Sequence, residues 1–489
     1  MKILVYSYYN AKTIAGSMGL PDYSYYFVLK DFLPVLRELG EVIVVEREQD
    51  IQSACQQAVD SGQPSLFLSF TPPHKTPLGL PCTTLPVFAW EFSSIPNEHW
   101  QNDKRQNWCL VLQELGAAIT HSGQIVQAVR RELGDDFPII SVPSPVWDKY
   151  AQLRRCERNP LTPATLHLSS GVVIDSHDPR LWPYIAGEDC VALAVQEQRE
   201  RKSQRLFDEG AQAASIDRLS HESALQVSKR HLRSYWTELC DALSLKDPLD
   251  KPLPSRDEPR LPVWKNRRCS LQLEGVVFTS LFNPYDGRKN WADMLTAFCS
   301  AFRHTPDATL VFKLGHREYL SAVHDMLIWM ARMPRFECRV VLLQGYLEGE
   351  SFEQLIRSTS FVVNAAYGEG QCLPLMEFMS CGVPAVAPCH SGMADYMDEQ
   401  VGFVVNSWED GTAWCHDPRL AYRTLRHQID WASLRDAYQA AYRCIKERPA
   451  DYARLSEAAI ERMSGHCSRE VAKQRLGKLF NDLVHKEPA

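Results

Sequence analysis

The sequence predicts an α/β protein with two doubly wound parallel-sheet domains and a large, mainly helical insert between them. Three observations predict it. Short apolar runs alternate with longer stretches of helical spacing over residues 1–150. The same alternation restarts near residue 275. Between the two series, 151–270 lacks that alternation: its middle is a charged helical pattern and its exit is punctuated by proline. Strands whose apolar residues run on rather than alternate are covered on both faces, and the intervening helices supply the cover.

The first strand is Lys2-Ile3-Leu4-Val5-Tyr6-Ser7, and others are expected at 42–46, 65–70, 86–90, 117–120 and 138–142. Residues 25–39 place Phe27, Val28, Phe32, Leu33 and Leu36 at helical spacing. The insert carries mixed charge through 187–245, as in Glu197, Arg199, Glu200, Arg201 and Lys202, and exits through Pro248, Pro252, Pro254, Pro259 and Pro262. Two readings of 151–270 stand side by side: a solvated helical insertion with a Pro-rich linker, or an arm for oligomer or partner contact. The second domain, 271–465, has expected strands at 275–280, 310–314, 340–343, 361–364 and 385–387. Its helices are expected at 290–303, 317–332, 351–358 and 374–380. Helical stretches 432–446 and 468–485 close the chain, and the segment 466–489 is a candidate to pack back on the first domain.

Composition narrows the function. The 489 residues suit two or three domains, at roughly 100–200 residues each. With 45% hydrophobic and 23% charged residues, disorder and collagen-like repeats are excluded. A net charge of −7, from 53 basic and 60 acidic side chains, argues against a nucleic-acid partner. The 15 cysteines are odd in number and form no CxxC pair, which points to a reducing cytoplasm where cysteine is a small core residue. The opening apolar run is too short for a secretory leader. No stretch approaches the roughly 18 apolar residues of a membrane span, so membrane association is expected to be peripheral at most.

The chemistry concentrates in 365–397. After the strand at 361–364, a loop carries Glu369 and Gly370, and a helix follows with Pro374 in its first turn, where the missing N–H is harmless. The backbone N–H groups of Gln371, Cys372 and Leu373, with the helix dipole behind them, suit a phosphate. Glu377 lies among Leu375, Met376, Phe378 and Met379, and a carboxylate on so apolar a helix needs a partner. A sugar diol would serve, but so would capping and dipole effects near the helix start.

Glu369 and Glu377 form a Glu-x7-Glu pair within EGQCLPLMEFMSCGVPAVA. This block closely resembles the EG-x-G-LP-x-x-E-A-M-A-x-G-x-P-V-V-A signature of the family-4 retaining glycosyltransferases of the GT-B fold. Arg288-Lys289-Asn290 looks like the family's basic diphosphate-binding motif, and Tyr346 and Leu347 match the loop that lines the nucleotide base. Ser391-Gly392-Met393-Ala394-Asp395-Tyr396-Met397 resembles the family's SGN-x-D-F-M variant. In the N-terminal half the likeness is looser: Trp90-Glu91 with Ser94-Ile95-Pro96, Thr120-His121-Ser122, and Gly16 and Gly19 where the family has a glycine-rich loop. Two departures stand out. Cys372 replaces the usual glycine, and Ser280-Leu281-Phe282-Asn283 stands where Gly-Arg-Leu is common.

The resemblance implies two Rossmann-like domains facing across a cleft. The C-terminal one would hold a nucleotide diphosphate-sugar donor, and the N-terminal one a glycan or lipid-linked acceptor near Gly16, Gly19, Glu91 and His121. Glu369 would hold the donor sugar and Glu377 the ribose, with Arg288 and Lys289 on the diphosphate. Since no Asp-x-Asp pair occurs, the resemblance implies no metal and no cofactor beyond the donor itself. The role it suggests is in bacterial cell-surface polysaccharide or lipopolysaccharide synthesis at the cytoplasmic face of the membrane. Two other classes remain open: a catalytically silent scaffold on the same fold, and a nucleotide-sugar epimerase.

Overall fold

The computed structural model describes residues 1–155, 159–185 and 264–484, with several helical positions from Leu225 to Trp236. Both sheets belong to one compact unit, Met1–Pro179 with Trp264–Trp329 and Phe336–Ala489; a second unit comprises Arg180–Val263 and Met330–Arg335.

The N-terminal sheet has six parallel strands: β1 (Lys2–Ser7), β2 (Glu41–Val44), β3 (Ser65–Phe70), β4 (Thr83–Phe88), β5 (Ala118–Thr120) and β6 (Ile139–Ser141). Their order is β2-β1-β3-β4-β5-β6, with every pair parallel. The apolar continuity of Ile3-Leu4-Val5 and Leu66-Phe67-Leu68 follows from cover on both faces, and all six residues are essentially inaccessible to solvent. The helix Tyr23–Leu39 lays Val28, Phe32, Val35 and Leu36 against this sheet.

In the C-terminal half come β7 (Ala164–Asp175), β8 (Arg267–Leu273), β9 (Val276–Phe282), β10 (Ala308–Leu314), β11 (Arg339–Gln344), β12 (Phe361–Val363), β13 (Ala385–Pro388) and β14 (Gly402–Val405). They form one sheet in the order β14-β13-β12-β9-β10-β11-β7-β8, parallel from β14 to β11. A two-stranded hairpin, β15 (Ser407–Ala413) and β16 (Tyr422–Ile429), follows. The fold class is as expected: two Rossmann-like doubly wound layers.

Differences lie at the edges. β7 falls inside the segment read as a helical insert and β8 begins in it, and they extend the second sheet by antiparallel pairing with β11 and each other. The alternating exposure of β7, as in Thr165, Leu166, His167 and Leu168, marks a strand covered on one face only. The charged middle and the Pro-rich exit of the insert lie outside the described residues, apart from Leu225, Ser228, Lys229, His231, Leu232, Tyr235 and Trp236, which are helical. The helix Pro449–Cys467 and the strands β14 to β16 were also not read from the sequence. The final helix, Arg469–Val484, returns to the first domain and inserts Ala472, Leu476, Leu479 and Phe480 into its core. Each fully buried Leu or Phe there contributes roughly 1.5–3 kcal/mol. No described helix is long and apolar enough to cross a membrane.

Sheet order positions the site. In the second sheet the chain reverses direction of growth between β9 and β12, and the loops leaving those strands carry Arg288-Lys289 and Glu369-Gly370. Crevices at such switch points, beyond the carboxyl ends of the strands, are where open α/β sheets bind ligands.

Candidate functional site

A cleft of about 670 Å³ is lined from both sheets, by Gly19, Tyr25 and Glu91 on one side and Lys289, Glu369 and Glu377 on the other. Two loops of the second domain are stitched together at its floor. Arg288 donates from Nη1 to the Gly368 carbonyl at 2.9 Å, and the Tyr367 N–H donates to the Arg288 carbonyl at 2.8 Å. Asn290 has φ +51°, a left-handed conformation that asparagine tolerates better than most residues. Its Nδ2 donates to the Ala365 carbonyl at 3.1 Å, and its Oδ1 accepts from Tyr367 Oη at 3.0 Å. The asparagine of Arg-Lys-Asn therefore joins the basic loop to the loop after β12.

Glu369 is buried at the centre of this arrangement. Lys289 Nζ donates to both carboxylate oxygens, at 2.7 and 2.9 Å, and Asn364 Nδ2 donates at 3.0 Å. Burial alone would raise the carboxyl, but Lys289 and Arg288 outweigh it and hold the group below the usual carboxylate range. Arg288 Nε lies 3.0 Å from Asp286 and 3.2 Å from Glu91, and Nη1 lies 3.6 Å from Glu369. Two cations thus face three carboxylates. Burial would weaken the Arg288 guanidinium, and these carboxylates reverse that and raise its pKa. Glu91 moves upward because of its own burial, against the pull of Arg288.

Gly370 of the signature and Gly368 just before it are explained by close approach. A Cβ on Gly370 would lie 2.8 Å from Ala89 Cβ, and one on Gly368 would lie 2.7 Å from the Glu91 carbonyl oxygen. The loop after β12 therefore runs flush against Ala89-Trp90-Glu91 of the first domain. Cys372 sits at φ +58°, ψ 72°, immediately before the helix Leu373–Ser380. That left-handed geometry is the physical reason a glycine suits the position. The cysteine offers Sγ to Asn364 Nδ2 at 3.1 Å, and burial pushes its thiol up to about 12. Gln371 turns its side chain to Ser144, accepting from the backbone N–H at 3.0 Å and donating to Oγ at 3.1 Å. The N–H groups of Gln371, Cys372 and Leu373 donate to no other described residue, and all three residues line the cleft.

Glu377 also lines the cleft, but it already has protein partners. Its Oε1 accepts from Lys149 Nζ at 2.8 Å and from Tyr150 Oη at 2.7 Å. Lys149 lies 4.0 Å from Asp31 of the helix Tyr23–Leu39. Burial pushes the Asp31 carboxyl up to about 7, opposed by Lys149. Sequence reasoning missed Asp31, Lys149 and Tyr150, which come from the first domain and the segment joining the two. No local pattern marks them.

Of the N-terminal candidates, Gly19 and Glu91 line the cleft and Gly16 and His121 do not. Gly19 has φ +81°, and a Cβ there would lie 2.6 Å from the Gly315 carbonyl oxygen, so only glycine fits. Gly16 is exposed in a short turn with nothing near it. His121 is buried in the first core, with Nδ1 2.9 Å from the Val142 carbonyl oxygen and its ring against Phe32. Burial lowers its pKa to about 4. Tyr346 and Leu347, leaving β11, line the cleft as expected.

No curated protein sequence matches the chain. Similar solved structures include HepE of Anabaena in complex with UDP and glucose, at 12% identity and TM-score 0.48, covering 99% of this chain and 100% of that one. Sucrose-phosphate synthase of Thermosynechococcus elongatus is 12% identical at TM-score 0.46, with 99% of each chain covered. The pneumococcal O-GlcNAc transferase GtfA, in complex with UDP and GlcNAc, is 11% identical at TM-score 0.44, with 89% of this chain and 60% of that one covered. Residues 275–415, from the start of β9 to just beyond β15, match the family described as glycosyl transferases group 1, and over that span the chain carries a glycosyl transferases group 1 domain.

Proposed function

We propose that the protein is a retaining, nucleotide-sugar-dependent glycosyltransferase of the family-4 type, acting on a glycan or lipid-linked acceptor in cell-surface polysaccharide synthesis. The observation that carries this reading is the ionised Glu369, held by Lys289 at 2.7 Å beside a run of unpaired backbone N–H groups in the cleft. Departure of a nucleoside diphosphate builds negative charge on its terminal phosphate. Arg288, Lys289 and the N-terminus of the helix Leu373–Ser380 are preorganised donors for that charge. Glu369 accepts hydroxyls of the donor sugar, and Glu377 those of the ribose. The cleft carboxylates around the basic pair, Asp286, Glu91 and Glu369, are all tied to cations. This favours a front-face transfer, with the leaving phosphate helping to deprotonate the acceptor, over a carboxylate nucleophile.

The test is release of nucleoside diphosphate from UDP- and GDP-sugars, with and without oligosaccharide or polyprenyl-linked acceptors. Acceptor-dependent release supports transfer; release or isomerisation without acceptor supports an epimerase or hydrolase, and binding without turnover supports a scaffold. Because the chain has no Asp-x-Asp pair and offers cations instead, turnover is expected to survive EDTA. Complete loss restored by magnesium or manganese would overturn that part.

Glu377→Gln gives a second expectation. A charge-assisted bond is worth about 1.5–3 kcal/mol. Lys149 and Tyr150 already engage Oε1, so the net effect belongs at the lower end. Calorimetry should show free nucleoside diphosphate weakened by roughly tenfold. Unchanged affinity would remove Glu377 from the ribose.

A further inference from the structure

Among the described residues, five cations line the cleft: Lys30, Lys149, Arg288, Lys289 and Lys313. Four are matched by carboxylates. Lys30 pairs with Glu348 at 3.1 Å, Lys149 with Glu377 at 2.8 Å, Arg288 with Asp286 at 3.0 Å and Lys289 with Glu369 at 2.7 Å. Lys313 is the exception. It is 8% exposed, and its Nζ donates to the Leu314 carbonyl at 3.3 Å and lies 3.9 Å from Met18 Sδ. No carboxylate among the described residues pairs with it. Burial, with no nearby charge to oppose it, lowers its pKa to about 8.

A buried ammonium without a counter-ion is destabilising, and a hydrophobic side chain of similar volume would relieve the cost. The neighbours Phe312 and Leu314 are fully buried, so this strand end is otherwise apolar. The location is equally specific. Lys313 lies level with Leu281 of β9 and Leu343 of β11, one residue before the carboxyl end of β10. Three backbone segments converge there. Asn283 Nδ2 donates to the Gly19 carbonyl at 3.0 Å, the Arg317 N–H donates to the Met18 carbonyl at 3.1 Å, and the Gly315 N–H donates to the Phe282 carbonyl at 2.7 Å.

We propose that Lys313 is a diphosphate-binding residue of the cleft, whose missing counter-ion is a phosphate of the donor. The inference rests on the nucleotide-sugar reading above and adds a residue to it. Arg288 and Lys289 have their charge engaged by Glu91, Asp286 and Glu369. Lys313 supplies the unmatched positive charge that a diphosphate requires. It binds the donor and the leaving group alike, through the same ammonium, and takes no proton from the acceptor.

The test compares the wild type with Lys313→Met by calorimetry, using UDP, GDP and ADP beside uridine, guanosine and adenosine. Whichever diphosphate the wild type binds should weaken by roughly ten- to a hundredfold in the variant, while the matching nucleoside binds as before. Equal weakening of both, or no change in the diphosphate, overturns the proposal. A folded wild type that binds none of the diphosphates removes the nucleotide-sugar reading itself and this inference with it. A second measurement needs only the wild type. Acetic anhydride labelling read by peptide mass spectrometry should find Lys313 protected by the diphosphate and not by the nucleoside. Equal protection by both, or none by either, also overturns it.

Discussion

Glu369→Gln should bind free nucleoside diphosphate at least as tightly as the wild type while losing turnover by roughly 100-fold. The reasoning starts from charge. In the wild type, Lys289 spends both strong bonds on the carboxylate, at 2.7 and 2.9 Å. Removing that carboxylate charge leaves Lys289 and Arg288 facing Glu91 and Asp286 alone, so the basic pair becomes more available to phosphate. The donor sugar, however, loses the group that orients it, and a misplaced reacting centre is costly to rate. Breaking a buried ion pair from one side also destabilises, by about 3–5 kcal/mol in measured cases, so the thermal midpoint should fall. Calorimetry with diphosphate, turnover with the full donor and a melting curve together decide the matter. If diphosphate affinity falls in step with turnover, Glu369 acts on the loop's structure and its role on the sugar is lost.

Gly392→Ala should be comparably damaging, for a steric reason. A Cβ at 392 would lie 2.2 Å from the Gly370 carbonyl oxygen and 2.9 Å from that of Glu369. Those are backbone atoms, so no side-chain rotation relieves the overlap. The Gly392 N–H also donates to the Glu369 carbonyl at 2.8 Å. To accept a methyl group the two loops must separate by about 1 Å, carrying Glu369 with them; overpacking of this kind costs about 1–3 kcal/mol. Both stability and turnover are expected to drop, turnover by roughly 100-fold. Gly16→Ala is the control, since nothing lies near its Cβ, and it should change neither quantity. Equal tolerance at both positions would mean that the loops yield more easily than their packing implies.

The two glycines illustrate what a sequence can express. Gly16 and Gly19 follow the same strand three residues apart, and nothing local tells them apart. Folding places Gly19 against Gly315 and leaves Gly16 in solvent. His121 shows the converse: a residue with catalytic chemistry, read as a cleft group, is a core histidine behind the sheet. Cys372 was legible as a departure from a glycine position, but only its φ of +58° explains why glycine suits it. The strands β7 and β8 were missed because their one-sided alternation lacks the continuous apolar runs of the central strands and lies within a segment dominated by charge and proline.

By itself the sequence determined the two doubly wound layers, the positions of their central strands along the chain and the loops that carry chemistry. Those features rest on hydrophobic periodicity and backbone conformation, which are local along the chain. Tertiary structure decided which charges meet. Glu377 and Lys149 are 228 residues apart, and Glu369 and Lys289 are 80 apart. Lys313 is a single lysine in an apolar strand until the fold brings the other cleft cations their carboxylates and brings it none among the described residues. An ion pair forms where chain paths cross, and its energy depends on burial and distance, quantities that exist only once both segments are in place.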